Sequence, residues 1–308
     1  MNKSKAHIQG IAIIVLTVNQ RETTLRCLDS LHEVSGPPFQ IFLWDNGSVD
    51  GTSEAVRELF PEVVVHHHPV NCGAAAGRNK AAELAMKHYK PAFFLFIDND
   101  MTVTPGFLEA LVKPFANYSR LAQTTGKIKV PGDEKRINDA GGCKIQFHLG
   151  RTYPVGYGEI DNGQYNVPKK CVPGGFSLVR AEVFQEVKGF DTAFDPYGYE
   201  DLDFSLRIAA AGYDALYVPE AVVFHEVTQT FEAGKYTQKY ARNKAKNWFL
   251  FMSRHSSPAQ KIGFYFIGIP YITIRAVIRE AKKGNITALF GLIKGALDHV
   301  RSKTTANR

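Results

Sequence analysis

An uninterrupted run of apolar residues at positions 93–97 leads directly into Asp98, Asn99 and Asp100. A strand with only apolar side chains is buried on both faces, which is typical of the parallel sheets of α/β proteins. Polar residues that follow such a strand lie at the carboxyl edge of the sheet, where open α/β folds bind their ligands. The run therefore predicts a central strand with a candidate site at its end.

Three strand–helix units precede this central strand. Apolar segments at residues 11–16, 41–44 and 63–65 each lead into a polar or Gly-rich loop and then a helical pattern. This alternation favours an α/β fold in which helices flank a mostly parallel central sheet. A nucleotide-sized cleft is expected where the carboxyl ends of the strands meet. The polar residues predicted at this edge are Thr17, Asn19, Asp45, Asn46, the loop 73–79, Asp98 and Asp100.

Asp98 and Asp100 are candidates for metal binding. They are two residues apart, so in extended backbone their side chains share one face. Two hard anionic oxygens suit a divalent cation that carries a diphosphate. His225 follows a predicted strand at residues 217–224 and is a candidate third ligand through nitrogen. The alternatives are a polar turn for the two carboxylates and hydrogen-bonded packing for the histidine.

Two other loops at this edge have both a functional and a structural interpretation. Asp45 and Asn46 could read the hydrogen-bonding edge of a nucleobase, or only form a turn and a helix cap. Gly73 and Gly77 lead into a helix whose amino terminus, with Arg78, could bind phosphate, or they could serve close helix packing. The loop is neither a dinucleotide-binding fingerprint nor a Walker loop.

Three consecutive histidines at positions 66–68 resemble a metal cluster. Strand geometry sends neighbouring side chains to opposite faces, and no carboxylate is expected close to them. We therefore predict a structural role for these residues.

The second half of the chain carries a candidate general base. Residues 119–170 indicate mixed short strands, and a helix is predicted from about Glu200 to just before Gly212. Glu200 and Asp201 fall in its first turn, where the helix dipole favours an ionised carboxylate that can accept a proton. Ordinary first-turn charge is the alternative. Asp203 lies on another side of the helix and is predicted to be structural.

The last 74 residues form a basic, partly apolar segment. Residues 262–274 are apolar and rich in aromatics, but this run is shorter than the roughly 20 residues of a spanning helix, and Pro270 interrupts it. Clustered cations beside apolar side chains predict helices that lie on a membrane surface, with packing on the rest of the chain as the alternative. No nucleic-acid-binding motif is present, so nucleic acid is not an expected partner.

These patterns predict two domains, at residues 1–234 and 235–308. The four cysteines form no Cys-x-x-Cys pair, which favours a reducing compartment over a zinc site or a disulfide framework. The expected location is the cytoplasm, on the inner face of the cell membrane.

Eight motifs in this order resemble glycosyltransferase family 2, in particular its bacterial rhamnosyltransferase-like and galactofuranosyltransferase-like members. The resemblance covers about residues 11–226. The motifs are Thr17-Val18-Asn19, residues 44–52, the loop 71–79, Asp98-Asn99-Asp100, Pro173-Gly174-Gly175-Phe176, Gly189-Phe190-Asp191, Glu200-Asp201 and Val223-Phe224-His225.

The resemblance implies a GT-A fold, a nucleotide-diphosphosugar donor, a divalent metal (Mn²⁺ or Mg²⁺) and inversion at the anomeric carbon. It implies that Asp201 is the catalytic base and that His225 completes the coordination of the metal. It assigns Gly174 and Gly175, with Glu200, to the acceptor region. The residues assigned to the donor are Thr17, Asn19, Asp45, Asn46, Gly73, Arg78, Asp98, Asn99 and Asp100.

Two departures from the family pattern leave the base of the donor open. Val18 replaces a common aromatic residue, and Asn46 stands where many members have Asp. UDP-linked and dTDP-linked donors are therefore both expected alternatives. The expected acceptor is a hydroxyl of a glycan or of a lipid-linked (polyprenyl-linked) sugar in the assembly of cell-surface polysaccharide.

Two other functions fit part of the pattern. Asp98 to Thr102 match the D-x-D-x-T pattern of haloacid-dehalogenase-like phosphatases, in which the first Asp is the nucleophile. A phosphatase interpretation does not explain why Asp201 and His225 stand where they do. A non-catalytic subunit that binds nucleotide sugars would keep the cleft but would need no general base.

Overall fold

The computed structural model describes residues 10–226 and 237–306. The predicted domain boundary at residue 234 lies outside the described residues. The strands are β1 (Ile11–Thr17), β2 (Phe39–Asp45), β3 (Val64–His67), β4 (Phe93–Asp98), β5 (Met101–Val103), β6 (Leu121–Val130), β7 (Asp133–Ala140), β8 (Cys143–Gln146), β9 (Arg151–Pro154), β10 (Lys169–Lys170), β11 (Ser177–Arg180) and β12 (Asp214–His225). The helices are α1 (Arg21–His32), α2 (Thr52–Leu59), α3 (Ala74–His88), α4 (Phe107–Val112), α5 (Ala181–Glu186), α6 (Glu200–Ala210), α7 (Gln238–His255), α8 (Pro258–Gly263), α9 (Ile269–Lys282) and α10 (Ile286–Ala306).

One central sheet runs through residues 10–226. Its main path runs β10-β12-β6-β11-β4-β1-β2-β3, with β5 paired to β12 and β7 paired to β6. Strands β1 to β4 are parallel to one another, as the alternation of strand and helix predicted. Strand β11 is antiparallel to β4 and β6, and β12 returns parallel to β6. The predicted α/β fold with a mostly parallel sheet is therefore confirmed.

The run at positions 93–97 forms the buried centre of this sheet. Phe94 and Phe96 pack into the core on one face, while Leu95 and Ile97 pack into the core on the other. All four side chains are buried, and each such burial stabilises the fold by about 1.5–3 kcal/mol. The strand end is thus held rigidly, and so are the residues that follow it.

Helix α7 packs against the part of the chain that contains the central sheet. Phe251 and Met252 share a buried cluster with Phe194 and Leu202. Helix α10 packs closely along α7. The glycines Gly291 and Gly295 of α10 permit this approach, because a Cβ atom at either position would clash with the α7 backbone.

Residues 258–282 form one helix, and the prediction that Pro270 interrupts it was wrong. Between α8 and α9, Phe264–Gly268 form a π-helical turn, and Pro270 lies in the first turn of α9. A proline is tolerated in that position because the local hydrogen-bonding pattern has already changed. The resulting helix of 25 residues is long and apolar enough to cross a membrane by length and composition alone, and most of its apolar stretch is exposed.

Candidate functional site

The carboxyl edge of the parallel sheet brings the predicted polar residues together. Thr17 is the register partner of Asp45, and Leu16 is the partner of Asp98. The Asn99 amide donates to Thr17 Oγ1 over 3.2 Å, which fixes the turn after β4 against the end of β1. Asn19 binds the next loop, accepting from the backbone amide of Val49 over 2.8 Å.

Asp45 is completely buried beneath the loop that follows β2. Its carboxylate accepts hydrogen bonds from the Ser48 amide (2.8 Å) and the Ser53 hydroxyl (2.5 Å). Burial alone would raise its pKa, but these hydrogen bonds and that of His67 lower the pKa below its usual value. Asp45 therefore organises the loop as an anion, while its contact with a nucleobase stays a prediction.

The expectation that no carboxylate lies near the three histidines was wrong. His67 Nδ1 lies 3.0 Å from the Asp45 carboxylate because β2 and β3 pair in parallel with these two residues in register. His66 instead stacks on Trp44, with ring centroids 4.1 Å apart. His68 also lies against Trp44, with ring centroids 5.5 Å apart, so strand alternation puts His67 on one side and His66 and His68 on the other.

Asn46 and Gly73 tie the loop after β2 to the start of α3. The Asn46 amide donates to the Gly73 carbonyl over 3.1 Å, and its oxygen accepts from the Cys72 amide over 3.0 Å. The amides of Ala75 and Ala76 donate to the Asp195 carboxylate over 2.9 and 3.3 Å. The helix end predicted to bind phosphate is therefore covered by a carboxylate of this chain.

Arg78 is a buried cation at the centre of the site. It donates to Asp98 Oδ1 over 2.7 Å and to Glu200 Oε1 over 3.0 Å, and it lies 3.7 Å from Asp201 Oδ1. The two-pronged guanidinium joins carboxylates of β4 and α6, while its predicted contact with phosphate stays a prediction. A contact between residues 122 positions apart leaves no local signal in the sequence.

Asp98, Asp100 and His225 converge at the end of β4. One potential ligand atom from each lies within 4.8 Å of the other two, the one such group among residues 10–226 and 237–306. His225 Nε2 is 3.1 Å from Asp100 Oδ1 because the antiparallel pairing of β12 with β5 aligns His225 with Met101. Burial would lower the pKa of His225, but the hydrogen bond and the charges of Asp100 and Asp98 raise it. Two carboxylates and an imidazole are a donor set that fits a divalent ion such as Mn²⁺.

Asp201 lies at the amino terminus of α6, beside the loop that contains Gly175. The Gly175 amide donates to Asp201 Oδ2 over 2.9 Å. The other oxygen, Oδ1, is buried and has no hydrogen-bond partner among the described residues. Asp201, His225, Gly174 and Gly175 line a cavity of about 360 Å³, named here the Asp201 cavity.

Glu200 is turned away from this cavity. Its side chain is buried against Arg78, and it is not among the described residues that line the Asp201 cavity. Burial and the neighbouring Asp201 charge raise its pKa. A structural role beside Arg78 accounts for these contacts, and its predicted contact with the acceptor stays a prediction.

Asp139 also lies at this cavity, although the sequence did not predict it there. It lines the Asp201 cavity, and its Oδ1 accepts hydrogen bonds from the amides of Gly141 and Gly142 over 2.9 and 2.6 Å. Burial raises its pKa to about 7. The one sequence signal was an Asp followed closely by two glycines, typical of a tight turn.

Comparison with known proteins identifies the family. The family model described as "Glycosyl transferase family 2" matches residues 12–188, more than half of the chain. The chain belongs to glycosyltransferase family 2. A second model, described as "N-terminal domain of galactosyltransferase", matches residues 157–238. This family 2 member is a glycosyltransferase, and neither the phosphatase nor the non-catalytic alternative is supported.

Curated relatives are also glycosyltransferases. One is the N-acetylglucosaminyl-diphospho-decaprenol L-rhamnosyltransferase of Mycobacterium tuberculosis. It is 24% identical over 264 residues, which cover 80% of this chain and 85% of that protein. The glycosyltransferase AglE of Haloferax volcanii is 23% identical, with 78% of this chain and 74% of that protein covered.

Solved structures agree on the GT-A fold. The mannosyltransferase PcManGT of Pyrobaculum calidifontis, in complex with GDP-Man and Mn²⁺, matches with a TM-score of 0.56 and 17% identity over 95% of this chain and 87% of that one. GalNAc-T7 with UDP, GalNAc and Mn²⁺ matches with a TM-score of 0.57 and 18% identity over 76% and 48%. The family 2 member described here therefore has a GT-A fold with C-terminal helices.

Proposed function

We propose that this glycosyltransferase moves a sugar, with inversion, from a UDP- or dTDP-linked donor to a hydroxyl group of a lipid-linked acceptor in cell-surface polysaccharide assembly. A glycan acceptor without a lipid is the other form of this proposal. The observation that carries the proposal is Asp201, a carboxylate in a cavity that it shares with His225 of the candidate metal group. The proposed proton acceptor and the proposed metal group that binds the diphosphate would thus face the same cavity.

In the proposed reaction Asp201 acts as the general base. The Gly175 amide holds Oδ2, so the carboxylate keeps one orientation while it takes the proton of the acceptor hydroxyl. The acceptor oxygen forms its bond to the anomeric carbon as the bond from that carbon to the diphosphate breaks on the opposite face. Direct displacement of this kind inverts the configuration.

The departing diphosphate needs positive charge near β4. Asp98, Asp100 and His225 would hold a divalent ion, Mn²⁺ or Mg²⁺, which when bound supplies that charge. Arg78 keeps Asp98 in position through a 2.7 Å hydrogen bond. Both solved relatives described above contain Mn²⁺, which supports this assignment.

The relatives and the surface support the proposed acceptor and the proposed location. The mycobacterial relative acts on a sugar linked by diphosphate to decaprenol, as its name states. Exposed apolar side chains of residues 258–282 and α10 lie beside Lys and Arg, a composition that favours a membrane surface. We place residues 1–234 as the catalytic domain, and 235–308 as an extension on the cytoplasmic face of the membrane.

A ligand screen followed by product analysis tests this function. Thermal unfolding is measured with a panel of nucleotide sugars, each with Mn²⁺, with Mg²⁺ or with chelator. The true donor is expected to raise the melting temperature only with metal, since a ligand that binds the native state stabilises it. The anomeric configuration of the product, determined by NMR, is expected to be opposite to that of the donor. Retention of configuration, or stabilisation by no nucleotide sugar, contradicts the proposal.

A further inference from the structure

A second cavity, of about 550 Å³, lies between α7, α9 and α10. This volume is in the usual range for small-molecule sites, about 300–1,000 Å³. We call it the C-terminal groove. Its walls are mostly apolar, with Trp248 and Phe249 from α7, Ile272 from α9 and Leu292 from α10.

One end of the C-terminal groove meets the Asp201 cavity. Thr152, Tyr199 and Lys244 line both spaces. Tyr199 directly precedes α6, and Asp201 lies two residues after it. A molecule in the groove can therefore extend to the candidate base without leaving the protein surface.

The other side of the groove opens onto an exposed apolar surface. Val277 and Ile293 line the groove and are 44% and 59% exposed. Ile274 and Phe290, on the same two helices, continue this surface away from the groove. The groove thus joins the catalytic cavity to the surface proposed to face the membrane.

The charged residues that line the groove are cations, and one of them, Arg279, is paired with Glu280. The lining residues include four cations and, among the part of the chain that the structure describes, no carboxylate. Lys244 lies where the groove meets the Asp201 cavity. An anionic group at this junction would be attracted while an apolar chain fills the rest. The cations are Arg151, Lys244, Arg275 and Arg279.

From this arrangement we infer that the C-terminal groove is the binding site for the isoprenoid chain and diphosphate of the acceptor, with the sugar in the Asp201 cavity. The inference rests on the lipid-linked acceptor of the proposed function. A long apolar chain with one anionic end matches both the apolar walls and the cations of the groove. A peptide would leave backbone polar groups without hydrogen bonds against the apolar walls, which is unfavourable.

Direct binding tests the groove independently of catalysis. The probe is radiolabelled geranylgeranyl diphosphate, measured by equilibrium dialysis against the full-length protein. Val277→Trp fills the groove, whereas Ile278→Trp is the matched control at the next position, since Ile278 is similarly exposed (51%) but does not line the groove. We expect V277W to weaken binding by about tenfold or more, because each apolar methylene excluded from the site costs several-fold in affinity. I278W should bind as the wild type does.

A second variant tests the head group. Lys244→Met is expected to weaken binding of geranylgeranyl diphosphate several-fold and to leave binding of geranylgeraniol, which lacks the diphosphate, unchanged. Equal thermal unfolding of all variants establishes that they fold. Equal affinity of V277W, I278W and the wild type for geranylgeranyl diphosphate, or no binding by the wild type, overturns the inference.

Transfer assays separate this inference from the proposed function. With N-acetylglucosaminyl-diphospho-decaprenol as acceptor, V277W is expected to raise KM about tenfold with little change in kcat. With the same head group on a short, soluble chain, V277W and the wild type should be equal. If V277W transfers sugar to the decaprenol-linked acceptor as well as the wild type does, the groove inference is refuted and the proposed function is not. Isoprenoid binding without sugar transfer to any acceptor refutes the proposed function alone.

Discussion

The backbone amide of Gly175 donates a 2.9 Å hydrogen bond to Oδ2 of Asp201. The amide belongs to the loop before β11 and the carboxylate to the first turn of α6, so this bond joins two elements across the Asp201 cavity. Gly175 has φ near +91°, a conformation that favours glycine and directs its N–H to the carboxylate. Asp201 Oδ1 is buried and lies 3.7 Å from Arg78, so the exposed part of this carboxylate is on the Oδ2 side.

Replacement of Asp201 by Asn is expected to abolish most transfer. The amide keeps the shape of the side chain but cannot accept a proton, so kcat should fall about 10²–10⁴-fold. Donor binding, followed by thermal shift with nucleotide sugar and metal, should be retained. Asp214→Asn, at an exposed carboxylate paired with Lys170, serves as the control and should leave kcat unchanged. A kcat of Asp201→Asn within tenfold of the wild type removes Asp201 from the role of base.

Loss of His225 is expected to weaken metal binding. His225→Gln removes the nitrogen of the candidate group, so the dissociation constant for Mn²⁺, measured by electron paramagnetic resonance with nucleoside diphosphate present, should rise about tenfold or more. His68→Gln is the control, because the histidines at 66–68 have structural contacts and lie outside this group. The assignment fails if both variants bind Mn²⁺ like the wild type, or if chelator leaves transfer unchanged.

Arg78 is expected to be essential for stability. Arg78→Met leaves Asp98 and Glu200 close together without their shared cation, which should lower the free energy of unfolding by about 3–5 kcal/mol at pH 7. Urea unfolding provides the measurement. Arg26→Met, which breaks the exposed pair with Glu226, should cost no more than about 1 kcal/mol. Equal losses of unfolding free energy in the two variants would show that the buried ion pairs of Arg78 stabilise the fold no more than the exposed pair does.

The pH dependence of stability is expected to report on Asp203. This buried carboxylate accepts hydrogen bonds from Arg207 (2.7 Å) and Arg254 (3.0 Å) and lies 2.8 Å from His255. Burial would raise its pKa, but these partners, with His255 first among them, lower the pKa from 3.8 to about 2. Because the folded-state pKa is lowered, the stabilisation is present above about pH 4 and is lost as the pH falls toward 2.

Asp203→Asn tests this dependence. A shift of this size corresponds to about 2 kcal/mol of unfolding free energy, so the variant should be less stable than the wild type by at least that amount at pH 7. The difference should shrink by about half near pH 3. Urea titrations at both pH values provide the comparison, and a gap that does not change with pH contradicts this account.

Membrane association is expected to depend on the exposed apolar surface of the last helices. A full-length variant with three Ser substitutions on this surface should lose flotation with anionic liposomes at low salt, because it loses apolar area that the bilayer would bury. The wild type should float. The substituted residues are Phe266, Ile274 and Phe290.

The matched control carries three Ser substitutions at similarly exposed apolar residues between positions 10 and 226, and it should float like the wild type. The control residues are Leu59, Tyr118 and Val167. Flotation of neither the wild type nor any variant would mean that the surface does not bind lipid. Equal flotation of all three proteins would place the membrane contact elsewhere.

The sequence by itself determined the parallel half of the sheet and the edge at which the site lies. Strand and helix periodicities are local, and the direction of a parallel strand dictates where its polar terminal residues go. The positions of Asp98 at the end of β4, of Asp100 just after it and of Glu200 at the start of α6 follow from such local patterns. The order of the family motifs predicted the glycosyltransferase activity.

Only the tertiary structure decided which of these side chains meet. Arg78 pairs with Glu200, and Asp195 covers the start of α3, because the fold brings distant segments into contact. The choice between a phosphate and a carboxylate as the partner of a cation depends on three-dimensional distance, which periodicity does not contain. The same holds for the helix through Pro270 and for the groove beside it, since both depend on how α7, α9 and α10 pack together.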